Sequence, residues 1–113
     1  MNCTAMLDTS RSLAERIRNG HQPDNGHLLR WYIEFTEEVA NDLTKDHQKF
    51  LCFIRCACVL VNTAYDQHIP WQWRTQCLDY VHRPLFAARS VGHTQGHQIW
   101  LKHIESQLMQ PLP

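Results

Sequence analysis

Between Phe50 and Val61 the chain reads Phe-Leu-Cys-Phe-Ile-Arg-Cys-Ala-Cys-Val-Leu-Val, twelve residues of which only Arg55 is not apolar. A helix on the surface of a small protein normally has one apolar stripe and one polar face. This segment is apolar nearly all round, so it must be covered from several sides. In a chain of 113 residues, that cover comes from the other helices or from a second molecule. Extended in both directions as a helix, the segment gains structure: Thr44, Gln48, Arg55, Asn62 and Asp66 fall within a strip about 40° wide at 100° per residue. Arg55 then marks the middle of a narrow polar seam. The segment is predicted to be the central helix of the fold. Twelve apolar residues are too few to cross a bilayer, which takes about 20.

The rest of the chain is punctuated as short helices. A first helix is expected over Thr9–Asn19, with only Leu13, Ala14 and Ile17 as its stripe and Gly20 as its stop. Residues 1–8 read as a flexible N-terminus. Gln22-Pro-Asp-Asn-Gly26 is a turn. A second helix over His27–Leu43 has the clearest amphipathic pattern, with Leu28, Tyr32, Phe35, Val39 and Leu43 at steps of four and three. The polar stretch after it predicts a break, with Asp46 capping the central helix over Asp46–Tyr65. A fourth helix is expected over Trp71–His82, interrupted at Pro84 and followed by a helical turn over Pro84–Ser90. Gly92–Gly96 reads as a loop. A last helix is expected over His97–Met109, with Trp100, Leu101, Ile104 and Leu108 on one face, and residues 110–113 as a short tail. No run alternates strictly enough for a strand. The expectation is one all-α domain over residues 1–113, a small bundle of four to six helices, homodimeric because the central helix asks for so much cover. Phe50, Phe53, Ile54, Ala57 and Leu60 are the candidates for self-association.

Lys plus Arg and Asp plus Glu both number 11, and this balance argues against an electrostatic nucleic-acid binder. Five cysteines, three of them inside the apolar run, read as free thiols acting as small hydrophobes in a reducing compartment. With no signal peptide at the start, a cytoplasmic protein is expected.

The reactive residue types assemble into no chemistry. Cys52 and Cys56 share a helix face, but Cys58 points about 200° from Cys56, unlike the converging ligands of a zinc site. His93 and His97 lie four apart in a glycine-rich loop with no acidic residue close in sequence. Cys77 with His82, or Cys58 with His68, has no surrounding motif, and apolar surroundings deaden a thiol. Arg74, Arg83 and Arg89 are too sparse for a DNA-recognition helix. No catalytic residue, metal site or cofactor is assigned. A thiol- or metal-dependent sensor and a small DNA-binding regulator stand as alternatives.

The tryptophans carry the functional signal. Trp71 and Trp73 lie about 200° apart on a helix, so one core cannot bury both on the same face, and Trp31 sits at the edge of its helix's apolar arc. Trp is enriched in binding hot spots. Ile69, Trp71, Trp73 and Trp31 are the candidates for contact with a partner protein. As a whole, from its Met1-Asn-Cys-Thr start through the Phe50-Leu-Cys-Phe-Ile-Arg-Cys-Ala-Cys58 core, the chain resembles the QslA-like anti-activators of bacterial quorum sensing. That resemblance implies a homodimeric binding protein, not an enzyme. It implies a LuxR-type transcription activator as partner, held through a LasR-like ligand-binding domain so that the activator can neither dimerise nor bind DNA.

Overall fold

The computed structural model describes residues 3–113, with side chains described from Met6 onward. Six helices follow one another: α1 (Cys3–Asn19), α2 (Gly26–Asn41), α3 (Asp46–Ala64), α4 (Trp71–Tyr80), α5 (His82–Val91) and α6 (Gln95–Leu108). The fold is all-α, and no strand occurs among the described residues.

The apolar run lies in α3, and α3 packs against each of the other five helices. Phe50, Ala57, Leu60 and Ala64 are fully enclosed, with Phe53 and Ile54 nearly so. Most of the cover that the sequence demanded is thus supplied within one protomer. The five side chains expected at a self-association face (Phe50, Phe53, Ile54, Ala57 and Leu60) are buried in the protomer's own core, and of them only Ile54 also borders an open cleft described below. The molecule measures 37 × 33 × 16 Å between Cα atoms. The short dimension corresponds to about two helix layers at 8–10 Å between axes, too thin to wrap α3 completely. Its uncovered strip is the seam read from the sequence, and Thr44, Gln48, Arg55 and Asn62 are all exposed.

Helix boundaries follow local chemistry. Gly20 ends α1 with φ +60°, and a Cβ there would come within 2.9 Å of Ile69 Cγ2, so the position requires glycine both for its backbone and for its neighbour. α1 begins at Cys3, earlier than Thr9, and the expected tail over residues 1–8 is helical from Cys3 onward; residues 1 and 2 lie outside the described ones. α2 and α3 are separate. α2 ends at Asn41 rather than Leu43, where the Asp42 and Leu43 N–H groups tighten onto the carbonyls of Val39 and Ala40. Lys45, not Asp46, is the N-cap of α3, and Asp46 lies in its first turn, where a carboxylate favours the positive end of the helix dipole.

Pro84 does not reduce the segment after it to a single turn. It lacks the N–H that would reach back one turn, so the helix breaks at Val81. The residues beyond then form the full helix α5, with Pro84 in its first turn, where no intrahelical donor is needed. α6 starts at Gln95 within the expected loop, because Thr94 caps it: Thr94 Oγ1 accepts from the His97 N–H at 3.1 Å and His97 Nδ1 accepts from the Thr94 N–H at 3.3 Å. The tail is tied down. Tyr65 Oη donates to the Gln110 carbonyl at 2.8 Å and Arg74 Nη2 to that of Pro113 at 2.7 Å.

Candidate functional site

The four residues expected to meet a partner separate in the structure. Trp73 is buried at 1% exposure, and its indole Nε1 donates to the Ile17 carbonyl at 2.8 Å. It locks the end of α1 onto α4 and is unavailable to a partner, because the 200° offset turns it inward as Trp71 turns out. Trp71 and Trp31 remain 59% and 57% exposed. Ile69 is partly buried against the core and packs over Gly20. Trp100, expected on the buried face of the last helix, is 53% exposed, leaving Leu101 and Ile104 to anchor α6. Three of the four tryptophans therefore face outward. Leu7, Phe86, Ile99 and Met109 are also more than half exposed.

Two clefts flank the first half of α1. On one side, a cleft of about 540 Å³ opens between α1, α3 and α6, with Leu51, Ile54, Val59, Ala14, Leu7 and Trp100 as apolar walls and Ser10, Arg11, Tyr32, Arg55, Cys58 and Asn62 as its polar or thiol lining. On the other side, a second cleft of about 360 Å³ runs between α1, α2 and α3. Leu7, Ser10, Tyr32, Leu51 and Arg55 line both. The sparse apolar stripe of α1 explains the gap. Ile17 at its far end is fully buried, whereas Leu7 is 58% exposed. The start of α1 lies over the seam without filling it. Sequence reasoning singles out Arg55 but not Leu7, Arg11 or Tyr32, and the weak stripe of α1 is the signal that points there.

The basic residues too sparse for a DNA-recognition helix are engaged within the protein. Arg74 is only 4% exposed. Its Nε donates to the Ala64 carbonyl at 2.9 Å, placing a cation on the C-terminal end of α3 as the helix dipole favours, and its guanidinium carbon lies 5.2 Å from the centre of the Trp71 ring. Arg83 forms a two-pronged pair with Glu37, and Arg89 meets Glu105 at 3.0 Å.

The thiols Cys52, Cys56, Cys58 and Cys77 are free. Burial pushes all four upward, Cys56 and Cys77 to about 12, the opposite of what a thiolate nucleophile or ligand requires. His93 and His97 do not act as a pair. His93 reaches Asp46 at 3.6 Å, while the buried His97 meets His47, with 2.9 Å between His97 Nε2 and His47 Nδ1. Ring centroids 5.1 Å apart and an interplanar angle of 14° put these two rings end to end in nearly one plane, sharing a hydrogen bond rather than stacking. No group of three or more metal-ligating side chains converges among the described residues, and no helix among them is long and apolar enough to cross a membrane.

Compared with protein-family models, curated proteins and solved structures, the chain finds no match.

Proposed function

We propose that this chain is a cytoplasmic protein-binding negative regulator, a QslA-like anti-activator that holds the ligand-binding domain of a LuxR-type transcription activator and blocks its dimerisation. The observation that carries the reading is the outward placement of Trp31, Trp71 and Trp100 on a protein this small. Trp is costly to leave wet and is enriched at the centres of interfaces. Raised thiol pKa values and the inward or paired arginines of α4 and α5 favour it over a thiol sensor or a DNA-binding regulator. Partner contact centres on Trp71 and Trp31, with Ile69 beside Trp71 in sequence. Homodimerisation belongs to the same proposal but uses surfaces other than the α3 core.

The test is size-exclusion chromatography of a LuxR-type ligand-binding domain with and without this protein. The proposal expects the activator's dimer to give way to a mixed complex, and Trp71→Ala or Trp31→Ala to weaken that complex by about 2 kcal/mol. An activator that still dimerises with this protein bound would overturn the mechanism. Unchanged binding in both tryptophan variants would move the interface off these two residues.

A further inference from the structure

Six of the eight arginines have a partner inside the protein: Arg74 with the Ala64 and Pro113 carbonyls, Arg83 with Glu37, Arg89 with Glu105, Arg18 with Asp66, Arg16 with Gln22 and Arg30 with His27. The two that form no hydrogen bond or ion pair among the described residues are Arg11 and Arg55, on different helices and both lining the larger cleft. No carboxylate of the described residues lines that cleft.

Tyr32 supplies an independent observation. It is 3% exposed, and its hydroxyl has no hydrogen-bond partner among the described residues. Yet none of their fully buried side-chain polar atoms lacks a partner. The ring is therefore enclosed while the hydroxyl opens into the cleft that Tyr32 lines. Burial holds the Tyr32 hydroxyl in its protonated, donating form, and Arg55 is close enough to act on it electrostatically. Two unpaired guanidinium groups and one unpaired hydroxyl thus share a largely apolar cavity of about 540 Å³, within the range of about 300–1,000 Å³ typical of ligand pockets.

We propose that this cleft is a binding site for an apolar carboxylic acid, its hydrocarbon body against Leu51, Val59 and Trp100 and its carboxylate on Arg55, Arg11 and the Tyr32 hydroxyl. An acid fits better than a neutral apolar molecule because all three groups donate hydrogen bonds and two carry charge. It fits better than a bare anion because the walls are hydrocarbon. The site stands independently of any partner protein held through Trp31 and Trp71, neither of which lines it.

Isothermal titration with dodecanoate below its micelle concentration tests it, with dodecanol as the uncharged control. A saturable one-to-one isotherm is expected, with dodecanol weaker. Tyr32→Phe and Arg55→Gln are each expected to weaken dodecanoate by about tenfold, as the loss of a hydrogen bond to a charged group does. Both variants should keep the wild-type melting temperature, since neither group has a partner to lose. Absent binding, equal binding of dodecanol, or unchanged affinity in both variants overturns the proposal. So does sedimentation showing that the free protein is a dimer which Leu51→Asp takes apart, because a second copy would then occupy the cleft.

Discussion

The two sides of α3 are built from the same kinds of residue and meet opposite fates. On one side Phe50, Ala57, Leu60 and Ala64 are sealed at 0% exposure. On the other, Leu51, Cys52, Cys58 and Val59 are only partly buried and line clefts beside Arg55. Composition does not separate the two sides, since both are apolar and both carry cysteine. What separates them is the element laid over each. α5 and α4 cover the first side with Leu85, Ala88, Trp73 and Cys77, all buried, whereas Leu7, in the first half of α1, is left more than half exposed. An apolar side chain is a core residue only where a neighbouring helix completes it, and where none does it becomes the wall of a site.

The largest expected difference comes from truncating one large apolar side chain on each side, Phe50 on the sealed one and Leu51 on the open one. Phe50→Ala is expected to cost about 3–5 kcal/mol in urea unfolding, through lost burial and the cavity left behind. Phe50 also has the His97 ring packed at 4.0 Å and lies 3.0 Å from where a Cβ on Gly92 would stand, so little can collapse into the space. Leu51→Ala, one residue along, should cost under about 1 kcal/mol, because its surroundings are already open. Equal costs would mean that α3 has no privileged side.

Much of this architecture was legible from residue spacing. The stripe of α2 and the polar seam of α3 follow from 100° periodicity, and the seam's middle, Arg55, is solvent-facing as that geometry requires. What was not legible depended on pairing between distant segments. Whether Trp71 or Trp73 turned inward was settled by the Ile17 carbonyl, 56 residues away. Arg74 reads as a surface charge in the sequence, but the end of α3 is its acceptor. The cleft itself has no sequence motif, because it is the shortfall between what α3 offers and what α1 covers.

The two tryptophans of α4 sharpen the contrast at the next level. Trp73→Phe keeps most of the apolar bulk but leaves the Ile17 carbonyl without its indole donor, an expected loss of about 1–3 kcal/mol. Trp71→Phe, at a 59% exposed site, should stay within about 0.5 kcal/mol. Gly20→Ala tests the anchored end of α1. A left-handed backbone costs a residue with a Cβ about 1–2 kcal/mol, and the Ile69 contact adds to that. If unfolding shows no loss, the turn after α1 is not the anchor described.

A smaller effect belongs to the histidine pair that ties α6 to α3. His97 accepts the Thr94 N–H at Nδ1, so its proton sits on Nε2, facing His47. Burial, with His47 and His93 nearby, holds its pKa below the usual imidazole value. The unfolded chain therefore takes up this proton first. The stability contributed here is complete above the unfolded pKa of about 6.5 and falls as the pH drops through that value towards the lower folded one. Urea midpoints of wild type and His97→Gln, a residue that can still close the capping box, should differ most near pH 8 and converge towards pH 5. A constant difference would remove His97 as the titrating group.

Site-resolved alkylation of the native thiols, read by mass spectrometry, tests the two-sided account of α3 most directly, because the helix carries a reporter on each side. Cys52 and Cys58 border the clefts. Cys56 is 1% exposed and Cys77, its counterpart on α4, is fully buried. The account predicts that Cys52 and Cys58 react with iodoacetamide in the folded protein, that dodecanoate slows Cys58, and that Cys56 and Cys77 react only at the rate of global unfolding. Labelling of Cys56 as fast as Cys58 under native conditions would contradict it.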